Sequence, residues 1–404
     1  MTPDAARLAS NWDTLSTFRD SSLPGWTRRP FTPHYAAARA WLTERMRDAG
    51  LAVSVDAGGN LVGVRRGNQP GLPSIVIGSH TDTVTGGGRF DGMVGVLAAV
   101  EVARGVRDHA LRHTLEVVDF LAEEPTDFGI STIGSRAMAG ALTSEMLTLK
   151  SAGVTLAEAV ASVGGQPSSI GPGRADAALY LELHIEQGPL LESEGLHLGI
   201  VTAITGIARF RVTLRGRADH AGTMSMRMRR DALAGGSAVV LALEELWLDG
   251  AGVGTVGRLR VEPNATNVVP GQVELWAEMR SVEASALRDR AARFEHTVHE
   301  LAAPRQLGCE VQPLSYEPPV PIAEEIQSAL AEVVRALGHP PRRLPSYAGH
   351  DANQLAKVAP IGMLFVPSRA GRSHCPEEWT DLADIALGAQ ALSDAVLHFD
   401  AALR

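Results

Sequence analysis

Cysteine is scarce in this chain of 404 residues, which contains only Cys309 and Cys375. Two cysteines cannot form the disulfide framework of a small secreted domain, so a reducing cytoplasm is the expected environment. The N-terminus lacks the basic and apolar segments of a signal peptide, and no apolar run reaches the roughly 20 residues that span a bilayer. These absences favour a soluble cytoplasmic protein over a secreted or membrane-spanning one.

An excess of basic residues is also missing. Lys and Arg total 37 against 46 Asp and Glu, which gives a formal net charge of −9. An acidic chain without a long basic run binds nucleic acid and anionic membranes poorly, so neither is an expected partner. Hydrophobic residues make up 45% and charged residues 21%, which fits an ordinary globular protein. The length predicts about two domains of roughly 100–200 residues each.

Four short apolar, β-branched runs predict buried strands of an α/β sheet that helices cover on both faces. These runs lie at 74–78, 114–121, 178–183 and 361–366. A helix is predicted at 35–50, where Gly50 ends it, and a second helix follows Asp91, which is placed to cap it. Between them, residues 51–65 alternate around a Gly-Gly-Asn turn and predict a hairpin.

The section from 207 to 318 has a different pattern. Its signals run strand, helix, strand, strand, helix and strand, at 210–214, 231–247, 254–261, 272–279, 285–301 and 310–314. That order is the split βαβ pattern of a ferredoxin-like α+β domain. A helix signal at 324–337 then returns to the first domain. We therefore predict one domain from residues 1–206 and 319–404, interrupted by an inserted domain at 207–318.

Acidic and histidine residues follow all four buried runs. The carboxyl ends of strands in an open α/β sheet form its ligand-binding crevice, so we expect these side chains to meet there. They are His80 and Asp82 after the first run, with Asp91 eleven residues beyond His80, then Glu123 and Glu124, His184 and Glu186, and finally His374 after a short loop.

These residue types predict a metal centre. Imidazole and carboxylate without thiolate suit a catalytic zinc, manganese or cobalt ion better than a closed structural zinc. The set is larger than one tetrahedral ion needs and suits two ions about 3.5–4 Å apart with a bridging carboxylate. One of two adjacent glutamates can bind metal while the other acts as a base. Asp82, two residues after His80, is placed to orient that imidazole.

A family resemblance covers the chain from about residue 10 to 395. It rests on the segments GSHTDTVTGGGRFDGMVGVLAAVEV, EE, LELHIEQGPLLE, GRADHAGT, RRDAL, PNATNVVPG, GHDA and FVPSRAGRSH. Together they resemble the M20 metallopeptidase superfamily, and most closely its branch of N-carbamoyl-L-amino-acid hydrolases, β-ureidopropionase and allantoate amidohydrolases. The resemblance implies a mixed-sheet α/β catalytic domain with a di-zinc site. It also implies an inserted ferredoxin-like lid that mediates dimerisation, and hence a homodimer.

The resemblance also implies a role for individual residues. Two divalent ions per subunit are implied, zinc first, with manganese, cobalt or nickel as alternatives. Asp91 would bridge them and Glu123 would be the general base. His220 would stabilise the oxyanion, often across the dimer interface, and Arg280 would hold the substrate carboxylate. The remaining implied metal ligands are His80, Glu124, His184 and His374, and the remaining implied substrate-binding residues are Gln187, Asn267 and Gly349.

The implied activity is metal-dependent hydrolysis of an N-carbamoyl-L-amino acid to the L-amino acid, carbon dioxide and ammonia. Allantoate, another ureido acid, an N-acyl amino acid or a dipeptide stays open as the substrate. Three departures from the branch pattern lie near the pocket and affect the choice of substrate: Pro125, Cys375 and the tripeptide at 217–219.

Other functions are less favoured. A substrate-binding protein that retained the fold without activity stays open, although the ligand set and Glu123 are complete. A nucleotide-binding enzyme lacks support, because the glycine-rich stretch at 86–89 does not have the order of a phosphate loop and is interpreted as a flexible loop. His350 and Asp351 are left outside the ligand set, since they are placed to begin a helix. The other histidines, including His109, His113, His296 and His299, are expected on the surface.

Overall fold

The four buried runs form strands at nearly the predicted positions in a computed structural model that describes residues 2–403. In chain order the strands are β1 Ala52–Val55, β2 Leu61–Arg65, β3 Ser74–His80, β4 Leu115–Phe120, β5 Lys150–Ser151, β6 Val154–Thr155, β7 Ala177–Ile185, β8 Gly199–Ile204, β9 Gly206–Arg215, β10 Asp219–His220, β11 Val253–Glu262, β12 Val268–Val269, β13 Gln272–Ser281, β14 Gly308–Glu317, β15 Val320–Pro321, β16 Arg342–Ser346 and β17 Ile361–Val366.

The helices fall between these strands and at the two ends of the chain. In chain order they are α1 Ala5–Thr17, α2 Pro33–Asp48, α3 Met93–Gly105, α4 Ile133–Met138, α5 Ser144–Leu147, α6 Leu156–Ser162, α7 Leu190–Glu194, α8 Ala232–Glu245, α9 Ala284–Ala302, α10 Glu324–Ala336, α11 Ala352–Leu355 and α12 Leu382–Ala402. The residues before Ala203 and after Pro321 form one compact unit, and Ala203–Pro321 form a second.

The first unit contains a mixed sheet in the order β1-β2-β4-β3-β7-β17-β8-β15, with β16 also paired to β8. Its neighbours β4, β3, β7 and β17 are parallel, whereas β2 and β8 run antiparallel to the strands beside them. The mixed α/β class is therefore confirmed. Because the central strands are parallel neighbours, their carboxyl ends lie at one edge of the sheet.

Helices close over the central strands. Every residue of β3, β4 and β17 is buried, and successive side chains of a strand point to opposite faces, so both faces of these strands are covered. Gly95 allows α3 to approach them closely, because a Cβ there would lie 2.5 Å from the carbonyl oxygen of Leu183 and 2.6 Å from the Cβ of Ser79.

Two local predictions in this unit are wrong. Asp91 does not cap α3, because the N-cap is Gly92, which has a φ of 67° and makes no side-chain capping bond. The Asp91 side chain is instead directed at histidines. His113 is not a surface residue, because it is 1% exposed and its Nδ1 lies 3.1 Å from a carboxylate oxygen of Asp400.

The second unit contains an antiparallel sheet in the order β11-β13-β9-β14, with α8 following β9 and α9 following β13 along the chain. Burial alternates strictly along β13, so one face of the sheet packs on a core and the other is more open. That core contains Phe294 of α9, which is fully buried with its ring centroid 5.8 Å from that of Phe210.

Among residues 2–403, none of the helices combines the length and the apolar character that crossing a membrane would require.

We expect Phe294→Ala to destabilise the second unit by about 3–5 kcal/mol, because it removes a buried ring and leaves a cavity. Leu241→Ala is the matched control, since Leu241 is 65% exposed and its truncation should change stability by no more than about 0.5 kcal/mol. Hydrogen exchange of peptides within Ala203–Pro321 measures both effects. Equal protection in the two variants would show that the core has been assigned incorrectly.

Candidate metal centre

Asp91 lies at the centre of a buried cluster and turns one carboxylate oxygen to each of two groups. Its Oδ1 lies 3.2 Å from Nε2 of His184 and 3.8 Å from Nε2 of His80. Its Oδ2 lies 2.9 Å from Nε2 of His374, and that nitrogen is 3.4 Å from Oε1 of Glu124. The cluster therefore contains two candidate ligand groups that share Asp91. We call them the inner group (His80, Asp91, His184) and the outer group (Asp91, Glu124, His374).

The parallel strands deliver these side chains to one place. His80 is the last residue of β3, and His184 lies within β7, which extends two residues beyond the predicted strand. Glu124 lies in the loop four residues after Phe120, where β4 ends, and the loop after β17 carries His374. The inner histidines are therefore held by strands, whereas the other ligands lie on loops.

Two of these loops have strained backbones. Ala122, next to Glu123, has a φ of 51°, and His374 itself has a φ of 56°. Residues other than glycine seldom adopt positive φ values, which persist where surrounding contacts fix them and are common at functional sites.

The inner histidines fit a cation. Nδ1 of His80 lies 3.1 Å from the carbonyl oxygen of Asp82, and Nδ1 of His184 lies 2.9 Å from that of Ile185. A carbonyl oxygen only accepts, so each Nδ1 carries the proton and the neutral ring presents an unprotonated Nε2 towards Asp91. Oε1 of Glu124 is also buried without a hydrogen-bond partner. Unprotonated nitrogens and carboxylate oxygens directed at one another are the donor set that a divalent ion requires.

The electrostatics of the cluster point the same way. Burial raises the pKa of Glu124 to about 7, and the charge of Asp91 adds to the effect. Burial also raises the pKa of Glu123 well above its ordinary value. Burial alone would raise the pKa of Asp91, but when His184 and His374 are in their charged form each ring donates a hydrogen bond from Nε2 to Asp91, which outweighs burial and holds that pKa well below its ordinary value. The hydrogen bond with Asp91 raises the pKa of His374 to about 9. Positive charge is therefore stabilised at this point.

Asp82 positions the glutamate pair. Its Oδ1 accepts the backbone N–H of Glu123 and its Oδ2 accepts that of Glu124, each at 3.1 Å. Its carboxylate lies 3.6 Å from Nδ1 of His80, which is beyond hydrogen-bond distance, so its carbonyl oxygen orients that imidazole. Asp82 was predicted to orient His80 with its side chain. It instead orients His80 with its backbone carbonyl and holds the two glutamates with its carboxylate.

Gln187 and Gly349 also belong to the first unit. Nε2 of Gln187 donates to Oδ2 of Asp91 at 3.0 Å and to Oγ of Ser373 at 3.1 Å. Gly349 is exposed, and a Cβ built on it would meet nothing within 4 Å. Its neighbour His350 is buried, with its ring centroid 4.6 Å from that of His184.

His220, Asn267 and Arg280 lie in the second unit. The pairing of β10 with β12 brings the first two together, and Ala221 N–H donates to the Asn267 carbonyl at 3.0 Å. The Gly222 N–H donates to Nδ1 of the exposed His220 at 3.0 Å. In the neutral ring the proton therefore lies on Nε2. Arg280, on β13, donates from Nε to Oε1 of Glu278 at 2.7 Å.

Several residues near the cluster have no marked signal in the sequence. Glu182 is buried inside β7 and accepts hydrogen bonds from Ser79 and Tyr180, and it also lies within ligand distance of His184 and His350. Asp351 is fully buried at the N-cap of α11 but makes no side-chain capping bond. The apolar run at 178–183 could have indicated Glu182, because a charged residue inside an almost wholly buried strand requires partners.

The profile of Peptidase family M20/M25/M40 matches residues 76–398. The chain belongs to that family. The family resemblance identified in the sequence is thereby confirmed. Enzymes of this family are metal-dependent, which agrees with the two ligand groups around Asp91.

Named relatives are similar over almost the whole M20 chain. An N-carbamoyl-L-amino-acid amidohydrolase of Paenarthrobacter aurescens is 39% identical over 398 residues, covering 96% of each chain. One of Geobacillus stearothermophilus is 41% identical over 382 residues, covering 92% of this chain and 93% of that protein. An allantoate amidohydrolase of Bacillus subtilis is 34% identical over 393 residues, covering 94% of each.

A solved structure has the same fold. An amidase of the hydantoinase/carbamoylase family from Burkholderia multivorans superposes with a TM-score of 0.90 at 35% identity, covering 98% of each chain. With the relatives, it shows that this chain is an amidohydrolase of the M20 carbamoylase and allantoate amidohydrolase group. It is an enzyme that hydrolyses carbon–nitrogen bonds.

We expect removal of metal by a chelator to lower the melting temperature, and added zinc to restore it. Zinc at about 100 times its dissociation constant should stabilise the fold by about 2.7 kcal/mol. Asp91→Ala should abolish this response, because both ligand groups share Asp91. Asp48→Ala, at an exposed position that pairs with Arg45, is the control. A wild-type melting temperature that ignores both chelator and zinc would contradict the assignment.

Proposed function

We propose that this M20 enzyme hydrolyses the ureido C–N bond of N-carbamoyl-L-amino acids and releases the L-amino acid, carbon dioxide and ammonia. The observation that carries the proposal is the Asp91 carboxylate shared by two ligand groups, with Glu123 beside them. Oε2 of Glu123 lies 3.6 Å from Nε2 of His80, so the glutamate faces the inner group. The relatives from P. aurescens and G. stearothermophilus, which carry this name, support the choice of substrate.

The proposed centre holds two divalent ions, with zinc the first choice and manganese, cobalt and nickel as alternatives. The residues that would hold them are His80, Asp91, Glu124, His184 and His374, and Asp91 belongs to both ligand groups. When bound, such ions lower the pKa of water and polarise a carbonyl group.

Glu123 is the proposed general base. Its carboxylate accepts a proton from the water that adds to the ureido carbon, and it returns that proton to the leaving nitrogen as the C–N bond breaks. Asp82 holds the Glu123 backbone in place for both transfers. Burial suits the role of base, because a carboxylate whose pKa lies above its ordinary value accepts a proton more readily.

The second unit supplies three of the other proposed residues, His220, Asn267 and Arg280, and the first unit supplies Gln187 and Gly349. His220 stabilises the oxyanion, and its Nε2–H, which the Gly222 hydrogen bond to Nδ1 leaves as the ring donor, is suited to that charge. Asn267, Arg280, Gln187 and Gly349 are the proposed substrate-binding residues, with the Arg280 guanidinium receiving the substrate carboxylate. We also propose that Ala203–Pro321 acts as the lid and dimerisation unit that the sequence implies at 207–318.

Allantoate is the second candidate substrate. The B. subtilis relative is named for it, and it carries the same type of ureido bond. Both candidates present a carboxylate and a ureido carbonyl, so the same residues would serve either one.

We expect metal-loaded enzyme to release ammonia from N-carbamoyl-L-amino acids. Glu123→Gln should lower kcat by about 10²–10⁴-fold, because it removes the base while leaving the ligands. Glu44→Gln, at an exposed helix position, is the control. The panel includes allantoate, 3-ureidopropionate, N-acyl amino acids and dipeptides. Faster turnover of allantoate would make it the preferred substrate in place of N-carbamoyl-L-amino acids. Turnover of acyl substrates alone would overturn the assignment of a ureido substrate.

We expect His220→Ala to lower kcat by about 10²–10³-fold with little change in KM, because an oxyanion donor acts mainly in the transition state. His220→Gln, which keeps an N–H donor, should recover part of that loss. His296→Ala, at a position 73% exposed on α9, is the control. An effect on KM alone would assign His220 to ground-state binding instead.

A further inference from the structure

One buried carboxylate, that of Glu378, joins two loops of the metal centre. Its Oε1 accepts the backbone N–H of Phe90 at 2.8 Å and that of Asp91 at 3.0 Å. Its Oε2 accepts the hydroxyl of Ser373 at 2.7 Å. The bonds to Phe90 and Asp91 span 288 and 287 residues of sequence, and Glu378 is 2% exposed. The residue itself faces neither ligand group directly.

The glycine-rich stretch before Asp91 makes room for this carboxylate. A Cβ on Gly88 would lie 2.1 Å from Oε1 of Glu378, and the next two nearest atoms, at 2.2 and 2.4 Å, also belong to Glu378. Atoms that are not bonded to each other do not approach this closely. Glu378 therefore leaves no room for a side chain at position 88. The sequence predicts a flexible loop at 86–89, but at Gly88 this loop packs tightly against Glu378.

The hydrogen bonds of Glu378 contact two segments that carry ligands of the outer group. One segment contributes the backbone of Asp91, and the other contributes Ser373, which precedes His374 and whose Oγ lies 3.4 Å from Oδ2 of Asp91. The His374 side chain is 49% exposed and its backbone has a φ of 56°, so external contacts must hold it in place. The backbone N–H of Glu378 also donates to the Cys375 carbonyl at 3.1 Å, which closes the turn after His374.

The inner group depends on Glu378 much less. His80 and His184 lie on β3 and β7 and are oriented by carbonyl oxygens of their own segments. Asp91 is the one inner ligand that Glu378 contacts, and its Oδ1 faces two strand-held histidines. A change at Glu378 should therefore act unequally on the two groups.

We propose that Glu378 is a positioning residue that sets the affinity of the outer group for its metal ion, through the backbone of Asp91 and the loop of His374. The inference rests on the proposed metal centre. It adds a residue that belongs to neither of the two ligand groups.

Glu378→Ala is the main test. Equilibrium dialysis of the full chain against graded free zinc, with metal content measured by mass spectrometry, gives the two binding steps. Loss of partners that orient metal ligands typically weakens binding 10–100-fold. We expect the zinc step of the outer group to move to a roughly 10–100-fold higher free zinc concentration, while the other step shifts only a few-fold.

Two further variants separate positioning from general stability. Glu378→Gln should bind both ions within a few-fold of wild type, because its Oε1 can still accept both backbone N–H groups and its amide can donate to Ser373. Asp400→Ala is the matched control. That buried carboxylate also accepts two successive backbone N–H groups, from Arg112 at 3.0 Å and His113 at 2.8 Å, but it lies at the C-terminal helix. The Asp400→Ala variant should leave both zinc-binding steps unchanged.

Gly88→Ala tests the same contact from the other side. It should weaken the outer zinc step by displacing the carboxylate, and it should have little additional effect in the Glu378→Ala background, where the clash is removed. If Glu378→Ala does not fold, Gly88→Ala alone decides between the outcomes.

Three results would overturn the inference. Unchanged zinc binding in both Glu378→Ala and Gly88→Ala would show that the loops position themselves. An equal loss of both ions would mean that Glu378 supports the whole centre rather than its outer group. Wild-type protein that binds no zinc, manganese, cobalt or nickel would refute the proposed centre itself, and that failure is recognisable before any variant is made.

Discussion

The accumulation of buried carboxylates at one point is the constraint on which the rest of this structure depends. Asp82, Asp91, Glu123 and Glu124 are each less than a tenth exposed and lie beside two buried histidines. Buried carboxylates are costly unless they are paired, hydrogen-bonded or bound to metal. Backbone N–H groups satisfy Asp82 and imidazoles pair with Asp91, whereas Oε1 of Glu124 lies 3.4 Å from Nε2 of His374 and has no hydrogen-bond partner. A cation is the partner that this arrangement best accommodates.

The loops at the centre are fixed by a repeated device, in which one carboxylate accepts two successive backbone N–H groups. Asp82 does so for Glu123 and Glu124, and Glu378 does so for Phe90 and Asp91. Residues beyond the end of a strand have left the sheet ladder, so their N–H groups need another acceptor. A carboxylate satisfies two at once and fixes the ligands that follow. The sheet thus supplies the approximate position of each ligand, and these carboxylates supply its orientation.

Local sequence pattern was sufficient for the central strands of the first sheet and for the residues that follow them. The runs that became β3, β4, β7 and β17 are short, apolar and β-branched, and their polar endings meet because parallel strands end at one edge. The failures are long-range. Asp91 has the residue type of a helix cap, and only contacts with His184 and His374 show that its side chain is used elsewhere. Glu378 is one of two adjacent glutamates in a loop, and its partners lie almost 290 residues away, so its sequence neighbours carry no signal of its contacts.

The histidines show how backbone contacts decide what one residue type does. Nδ1 of His80 and of His184 faces a carbonyl oxygen, so it must hold the proton, and Nε2 is left as an electron-pair donor suited to metal. Nδ1 of His220 faces an N–H, so the proton of the neutral ring lies on Nε2, which is then suited to stabilise an anion. Composition and spacing cannot distinguish these cases, because the choice depends on whether a carbonyl or an amide lies beside the ring. The proposed division between metal ligand and oxyanion donor therefore depends on the fold around each histidine rather than on the histidine itself.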